Sequence, residues 1–198
     1  VTVGVLVLAA GRSRRFGADK RLALLPGGRA LIDVFLDELR RSGLPALVCL
    51  DTEDRELAAS VTERGFPVYR CRTASAGMGA TLAEGASQLP DWDGVLIALA
   101  DMPWVTADTY RAVADSLSPG LICVPTCNGR RGHPVGFGRC FFQPLAELGG
   151  DVGARELVQR HADRVVALAV ADAGIHRDID RPEDIERSIA TGMPGRDG

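Results

Sequence analysis

The 198 residues are 46% hydrophobic and 25% charged with a net charge of −3, a globular balance that argues against a general nucleic-acid binder. No apolar run reaches the roughly 20 residues of a membrane span. The five cysteines are odd in number with no C-x-x-C pair, and His133, His161 and His176 lie at no zinc-ligand spacing from them. Free thiols in a reducing compartment follow. With no signal-peptide pattern at the start, the expectation is one cytoplasmic domain over 1–192 with a frayed tail at 193–198.

Apolar strands alternate with amphipathic helices along the chain, the pattern of a mostly parallel sheet covered on both faces, a three-layer Rossmann-like α/β domain. Residues 3–9 read as the first strand. Leu31, Ile32, Phe35, Leu36 and Leu39 then recur at helical spacing, and Gly43 closes that helix. Ala46–Leu50 is a second strand, and Leu57 and Val61 mark the inner face of the next helix. Val68–Cys71 is a third strand, followed by a glycine-punctuated loop and a helix at 80–89. Gly94–Ala100 is the most apolar strand and is expected at the centre of the sheet. Thr106 is a suitable N-cap for the helix through Tyr110, Val113 and Leu117. After Gly120 the rhythm changes. Leu121–Val124, the basic turn Asn128–Gly132 and extended Pro134–Phe137 read as a small inserted β-hairpin. Helices near 139–148 and 152–161, a last strand at Val165–Val170 and a helix beginning near Pro182 complete the order.

The first strand ends in Ala9-Ala10-Gly11 and opens into a loop carrying Arg12, Arg14, Arg15 and, further on, Lys20. Buried strand, small residues, then clustered cations is how an α/β protein builds a polyphosphate pocket. The loop is no Walker motif, because Ala18-Asp19 follow Gly17, and it lacks the G-x-G-x-x-G of a dinucleotide fingerprint. Asp101, just past the most apolar strand, sits where ligands gather in such sheets and suits Mg²⁺; the alternative is that it merely starts a turn. Asp178 and Asp180 share one side of an extended segment, and Asp180 is either a second metal ligand or a helix cap. Ala74–Leu82 is either the floor for a flat ring, with Thr81 bonding its edge, or a surface turn. Gly129–Pro134 is either an anion-holding turn or an exposed basic one, and Asp151 either serves the site or caps the next helix. Arg12, Arg14 and Arg21 read as solvated charge.

Together these strings resemble the small nucleotidyltransferases of molybdenum-cofactor maturation, the MobA-like NTP transferases, over residues 3–190. The signature is Leu8-Ala9-Ala10-Gly11-x-Ser13-x-Arg15-Phe16-Gly17-x-x-Lys20, with Ala100-Asp101-Met102-Pro103 as the metal-binding turn. Gly132-His133-Pro134-Val135, Gly150-Asp151-x-Gly153-Ala154-Arg155 and Asp178-Ile179-Asp180-x-Pro182-Glu183-Asp184 are similar to the later blocks. Ala9-Ala10-Gly11 and Phe16-Gly17, where guanylyltransferases usually read Ala-Gly-Gly and Met-Gly, place the likeness nearer the cytidylyltransferase branch. Ala80-Thr81 stands where serines are common.

The resemblance implies a nucleotide-diphospho-sugar-transferase-like fold and transfer of CMP from CTP, or of GMP from GTP, to the phosphate of a molybdopterin-type cofactor. A molybdoenzyme that receives the product is the further partner it implies; a different phosphorylated acceptor, or non-catalytic nucleotide handling, is the alternative. It casts Arg15, Lys20 and Asp101 as catalytic. Leu8, Ala9, Ala10, Gly11, Arg12, Ser13, Gly79 and Thr81 join them in binding the nucleotide. Asp101 and Asp180 would hold Mg²⁺ or Mn²⁺, and His133, Asp151 and Arg155 would face the acceptor.

Overall fold

A computed structural model describes residues 1–11, 16–150 and 153–190, apart from the side chains of 188–190. The first apolar run forms β1 (Val3–Leu8), buried throughout except at Leu8. β1 pairs in parallel with β2 (Ala46–Asp51) on one side and with β4 (Gly94–Leu99) on the other. β3 (Val68–Cys71) extends the parallel set beyond β2. β1, β2 and β4 are covered on both faces, which is why their runs are nearly unbroken apolar, whereas edge strand β3 carries the exposed Arg70.

The hairpin expected after Gly120 is present, and its return arm belongs to the main sheet. β5 (Ile122–Cys127) turns through Asn128 (φ 51°) and Gly129 (φ 73°) into β6 (Arg130–Arg131). Positive φ at both loop residues is the geometry that matches the twist of a two-residue hairpin. β7 (Val135–Gly138) then runs antiparallel between β4 and β5, so the sheet order is β3-β2-β1-β4-β7-β5-β6. β8 (Val165–Ala169) pairs in parallel with β5. The most apolar strand, β4, is central as expected.

Alternation along the strands divides the core into two apolar layers. Val3, Val5 and Val7 pack with α1 (Leu31–Ser42), α2 (Arg55–Glu63) and α4 (Ala107–Asp115) through Phe35, Leu39, Val61 and Val113. Leu6, Val95 and Ile97 face the other way, against α3 (Met78–Ala86), α5 (Phe142–Ala146) and α6 (Arg155–Arg160). The final helix, α7, is Pro182–Ala190. The expected caps are found: Gly43 closes α1 in the left-handed region (φ 74°), and the Thr106 hydroxyl accepts from the Thr109 amide. The helix expected at 80–89 begins two residues earlier, and that near 139–148 is a 3-10 turn (Arg139–Phe141) running into short α5. Among the described residues no helix is long and apolar enough to cross a membrane.

The place of β7 rests on a close approach. A Cβ built on Gly138 would lie 2.1 Å from the Ser118 carbonyl oxygen and 2.4 Å from that of Pro119. Backbone cannot yield as a flexible side chain does, so Gly138→Ala is expected to lower stability by about 2 kcal/mol, read as a lower urea midpoint at unchanged m-value.

Candidate active site

Three chain segments meet at the carboxyl end of β1 and β4. The Ala100 amide donates to the Leu8 carbonyl at 3.2 Å, which joins the two strand ends. The Ile179 amide donates to the Asp101 carbonyl at 2.9 Å, which docks the segment before α7 onto the turn after β4. Ile179 is itself fully buried in a small cluster with Leu25 and Leu31. Its burial leaves Asp180 beside the cleft. From the first turn of α7 the Asp184 carboxylate accepts from the Asp180 and Arg181 amides at 3.0 and 2.8 Å and ties that segment to the helix. The Asp180 carboxylate reaches the third segment.

That segment is the 3-10 turn Lys20–Leu22. Lys20 Nζ donates to Asp101 Oδ2 at 2.7 Å, to the Ile179 carbonyl at 2.8 Å and to Asp180 Oδ1 at 3.1 Å. Burial opposes the ammonium charge, but Asp101 and Asp180 outweigh it and hold the Lys20 pKa above its ordinary value. Burial pushes the Asp101 pKa up, Lys20 offsets part of this, and Asp178 and Asp180 add repulsion. Asp101 Oδ1 is buried and has no hydrogen-bond partner among the described residues.

Arg21, read from sequence as solvated charge, is only 7% exposed. Nε and Nη2 donate to Asp19 at 2.7 and 2.8 Å, and both terminal nitrogens donate to Asp54 at 2.5 and 2.8 Å. Nη1 also donates to the Ala9 carbonyl at 2.6 Å. Burial opposes the charge on Arg21, and its two carboxylates more than restore it. Ala9 and Asp19 are thus fastened to one another and to the start of α2. On the opposite wall the Glu84 carboxylate accepts from the Arg72 and Thr73 amides, the Thr73 hydroxyl and the Tyr69 hydroxyl. Burial would raise the Glu84 pKa, but these donors outweigh it and hold it below its ordinary value. They also hold the turn that leads to Gly77, whose φ of 117° favours glycine.

Between these walls lies a cleft of about 460 Å³, lined by Leu8, Ala9, Ala10 and Gly11 on one side and by Ala74–Met78 and Thr81 on the other, with Lys20, Asp101 and Asp180 at one end. Gly79 is buried in the first turn of α3 and does not line this cleft; Gly77 and Met78 take that place. The Thr81 hydroxyl donates back to the Gly77 carbonyl at 3.3 Å, so toward a ligand it offers its acceptor side. A second cleft of about 510 Å³ shares Leu8, Met78 and Leu99 with the first. His133, Arg155 and Arg131 bring its polar groups, while Leu82, Ile97, Val124, Val135 and Val158 make it largely apolar. Burial lowers the His133 pKa against the opposing pull of the Ile97 carbonyl, Asp101 and Asp178, and His133 Nδ1 has no partner among the described residues. Arg12, Ser13, Arg15 and Asp151 lie outside the described residues.

Among the described residues no group of three or more His, Cys, Asp or Glu side chains has the geometry of a metal site. Mg²⁺ needs no such cage, since it binds through one or two carboxylates plus substrate phosphates. The unpartnered Asp101 Oδ1, with Asp180 across the same lysine, fits that demand.

A family model described as the MobA-like NTP transferase domain matches residues 5–165. Nicotine blue oxidoreductase of Paenarthrobacter nicotinovorans is 25% identical over 195 residues, 94% of this chain and 95% of that protein. Rv0371c of Mycobacterium tuberculosis H37Rv has a similar structure, with a TM-score of 0.83 and 28% identity over 96% of this chain and 98% of the other. Its complex with manganese gives 0.81 and 27%, covering 96% and 100%. CMP:2-keto-3-deoxy-manno-octonic acid synthetase complexed with CTP gives 0.72, covering 96% and 98%; at 15% identity that likeness speaks for the fold alone.

Two outcomes follow from the clamps. Arg21→Met should speed amide exchange at 8–11 and 16–20 and around 51–54, with the central strands unchanged; uniform acceleration would mean that Arg21 only supports the core. The stability contributed by Glu84 is full above its ordinary pKa of 4.5 and is lost as pH falls through its lower folded value. The stability gap between wild type and Glu84→Gln should therefore be constant near neutrality and shrink below about pH 4.5, followed by urea midpoints across pH.

Proposed function

This chain belongs to the MobA-like NTP transferase family, and on that premise we propose that it transfers CMP from CTP to the phosphate of a molybdopterin-type cofactor, releasing pyrophosphate. The observation that carries the reading is the pair of adjoining clefts, one beside Lys20, Asp101 and Asp180 and the other largely apolar with Arg131, His133 and Arg155 at its polar edge. A sugar-phosphate acceptor asks for many hydroxyl partners. The apolar wall instead favours a flat ring joined to a phosphate, with the arginines drawing in the anion. The spelling Ala9-Ala10-Gly11 supports cytidine over guanosine.

In the reaction a phosphate oxygen of the acceptor attacks the α-phosphorus of the triphosphate in line. The bond to the bridging oxygen breaks, and its electron pair leaves with pyrophosphate. The attacking oxygen is already ionised, so the chain's task is positioning and charge neutralisation rather than proton removal. The nucleotide lies along Leu8–Gly11 and Ala74–Thr81, its phosphates directed to Lys20, and Arg15 is proposed to share that work. Asp101 and Asp180 would hold Mg²⁺ or Mn²⁺, which when bound neutralises charge building on the phosphates. His133, whose charged form burial disfavours, serves the acceptor as a hydrogen-bonding partner, with Arg155 at the same cleft and Asp151 proposed beside it.

A second reading, oxidation or reduction of a flat aromatic compound, is favoured by the name of the Paenarthrobacter protein. The deciding assay supplies each of the four nucleoside triphosphates with Mg²⁺ and molybdopterin cofactor and follows pyrophosphate. Release with CTP is expected, and Asp101→Asn should lower it by about 10²- to 10³-fold without unfolding the protein. No release with any triphosphate, alongside consumption of a nicotinamide cofactor in the presence of an aromatic dye, would establish the second reading instead.

A further inference from the structure

The Lys20 ammonium lies where two carboxylates of a divalent-metal site converge. It touches Asp101 Oδ2 at 2.7 Å and Asp180 Oδ1 at 3.1 Å, and the Ile179 carbonyl at 2.8 Å fixes it from the backbone between them. Asp178 adds to the repulsion felt by Asp101. Without a cation between them, Asp101 and Asp180 would repel across a half-buried cleft, where effective dielectric is well below that of water. A lysine is suited to such a post because its charge is compact and rides on a flexible stem, unlike the forked guanidinium of neighbouring Arg21.

We propose that Lys20 is a resident counter-ion that blocks metal binding in the nucleotide-free protein and yields the carboxylates only when a triphosphate offers its ammonium another anion. This rests on the reading of Asp101 and Asp180 as the metal ligands. Metal and nucleotide then load together rather than metal first. One residue has two duties, closing the site when it is empty and holding phosphate when it is filled. The cost of moving the ammonium off two carboxylates is offset only by a ligand that brings both a divalent cation and several negative oxygens. Free divalent ions and uncharged nucleosides are refused on the same ground.

The test needs no acceptor and no turnover. Mn²⁺ is titrated into the nucleotide-free protein and followed by electron paramagnetic resonance of the free ion. Lys20→Met should bind Mn²⁺ about tenfold or more tightly than wild type, and Lys20→Gln should repeat the gain, each checked for folding by circular dichroism. With CTP present the order should reverse, the variants binding the metal–nucleotide pair more weakly than wild type. Arg181→Met, which removes a positive charge next to Asp180, should change nucleotide-free Mn²⁺ affinity by less than about twofold. Equal or weaker Mn²⁺ binding by both Lys20 variants overturns the proposal, as does a gain in Arg181→Met as large as theirs. On the wild-type chain, saturating Mg²⁺ alone should leave the side-chain ammonium resonance of Lys20 unmoved while Mg²⁺ with CTP should shift it, and a shift as large with Mg²⁺ alone overturns the proposal too. A wild type that binds no triphosphate while the Lys20 variants still gain Mn²⁺ affinity would overturn the nucleotidyltransfer reading and leave the block on the metal site standing.

Discussion

Three segments at the carboxyl end of this sheet meet at one ammonium group. Lys20 joins a turn after β1, a turn after β4 and a segment before α7, partners that lie 81 and 160 residues away along the chain. Two carboxylates that share a half-buried cleft repel unless one takes up a proton or a cation lies between them, and here the cation couples the three segments by charge. The sheet brings the strand ends together. The lysine makes their closeness tolerable.

The scaffold around this group is electrostatic as well, and the core beneath it is not. Below the cleft the two layers of aliphatic residues on either face of β1 and β4 need no polar contact. Above it, backbone leaves the strands and its polar groups must find partners within the loops. Arg21 supplies them for Ala9, and Glu84 for Arg72 and Thr73. Asp172 does so behind the site, where it accepts from the Thr106 amide and hydroxyl, the Thr109 hydroxyl and the Gly174 amide. Each is a charged residue held largely or partly out of solvent, and each fastens a loop to a helix. None touches the reacting groups in the proposed mechanism, yet the walls of the first cleft depend on two of them.

The strands and helices were legible because burial on both faces writes unbroken apolar runs and helix packing writes a regular spacing. Gly43, Thr106 and Pro182 were legible for a local reason, since a cap or a first turn depends on its own residue type. Side-chain partners across long separations were not. From its place in the chain Asp180 reads equally as a metal ligand or a helix cap. The docking of buried Ile179 onto the turn at Asp101 brings Asp180 to Lys20, while Asp184 holds the amides of Asp180 and Arg181. Arg21 looked like one more cation in a basic loop, because nothing local says that Asp54 waits beside it. The cleft is lined by Gly77, whose positive φ no local spacing announces, rather than by Gly79 in the helix that follows.

The sequence by itself determined the alternating α/β layout and the family, because these depend on residue type and local spacing. Tertiary structure alone decided that β7 enters the main sheet between β4 and β5, that Arg21 is a clamp, and that two clefts share a wall. It also decided that Lys20 lies between Asp101 and Asp180. These are outcomes of which surfaces meet when distant segments are packed, and local spacing carries no record of that meeting.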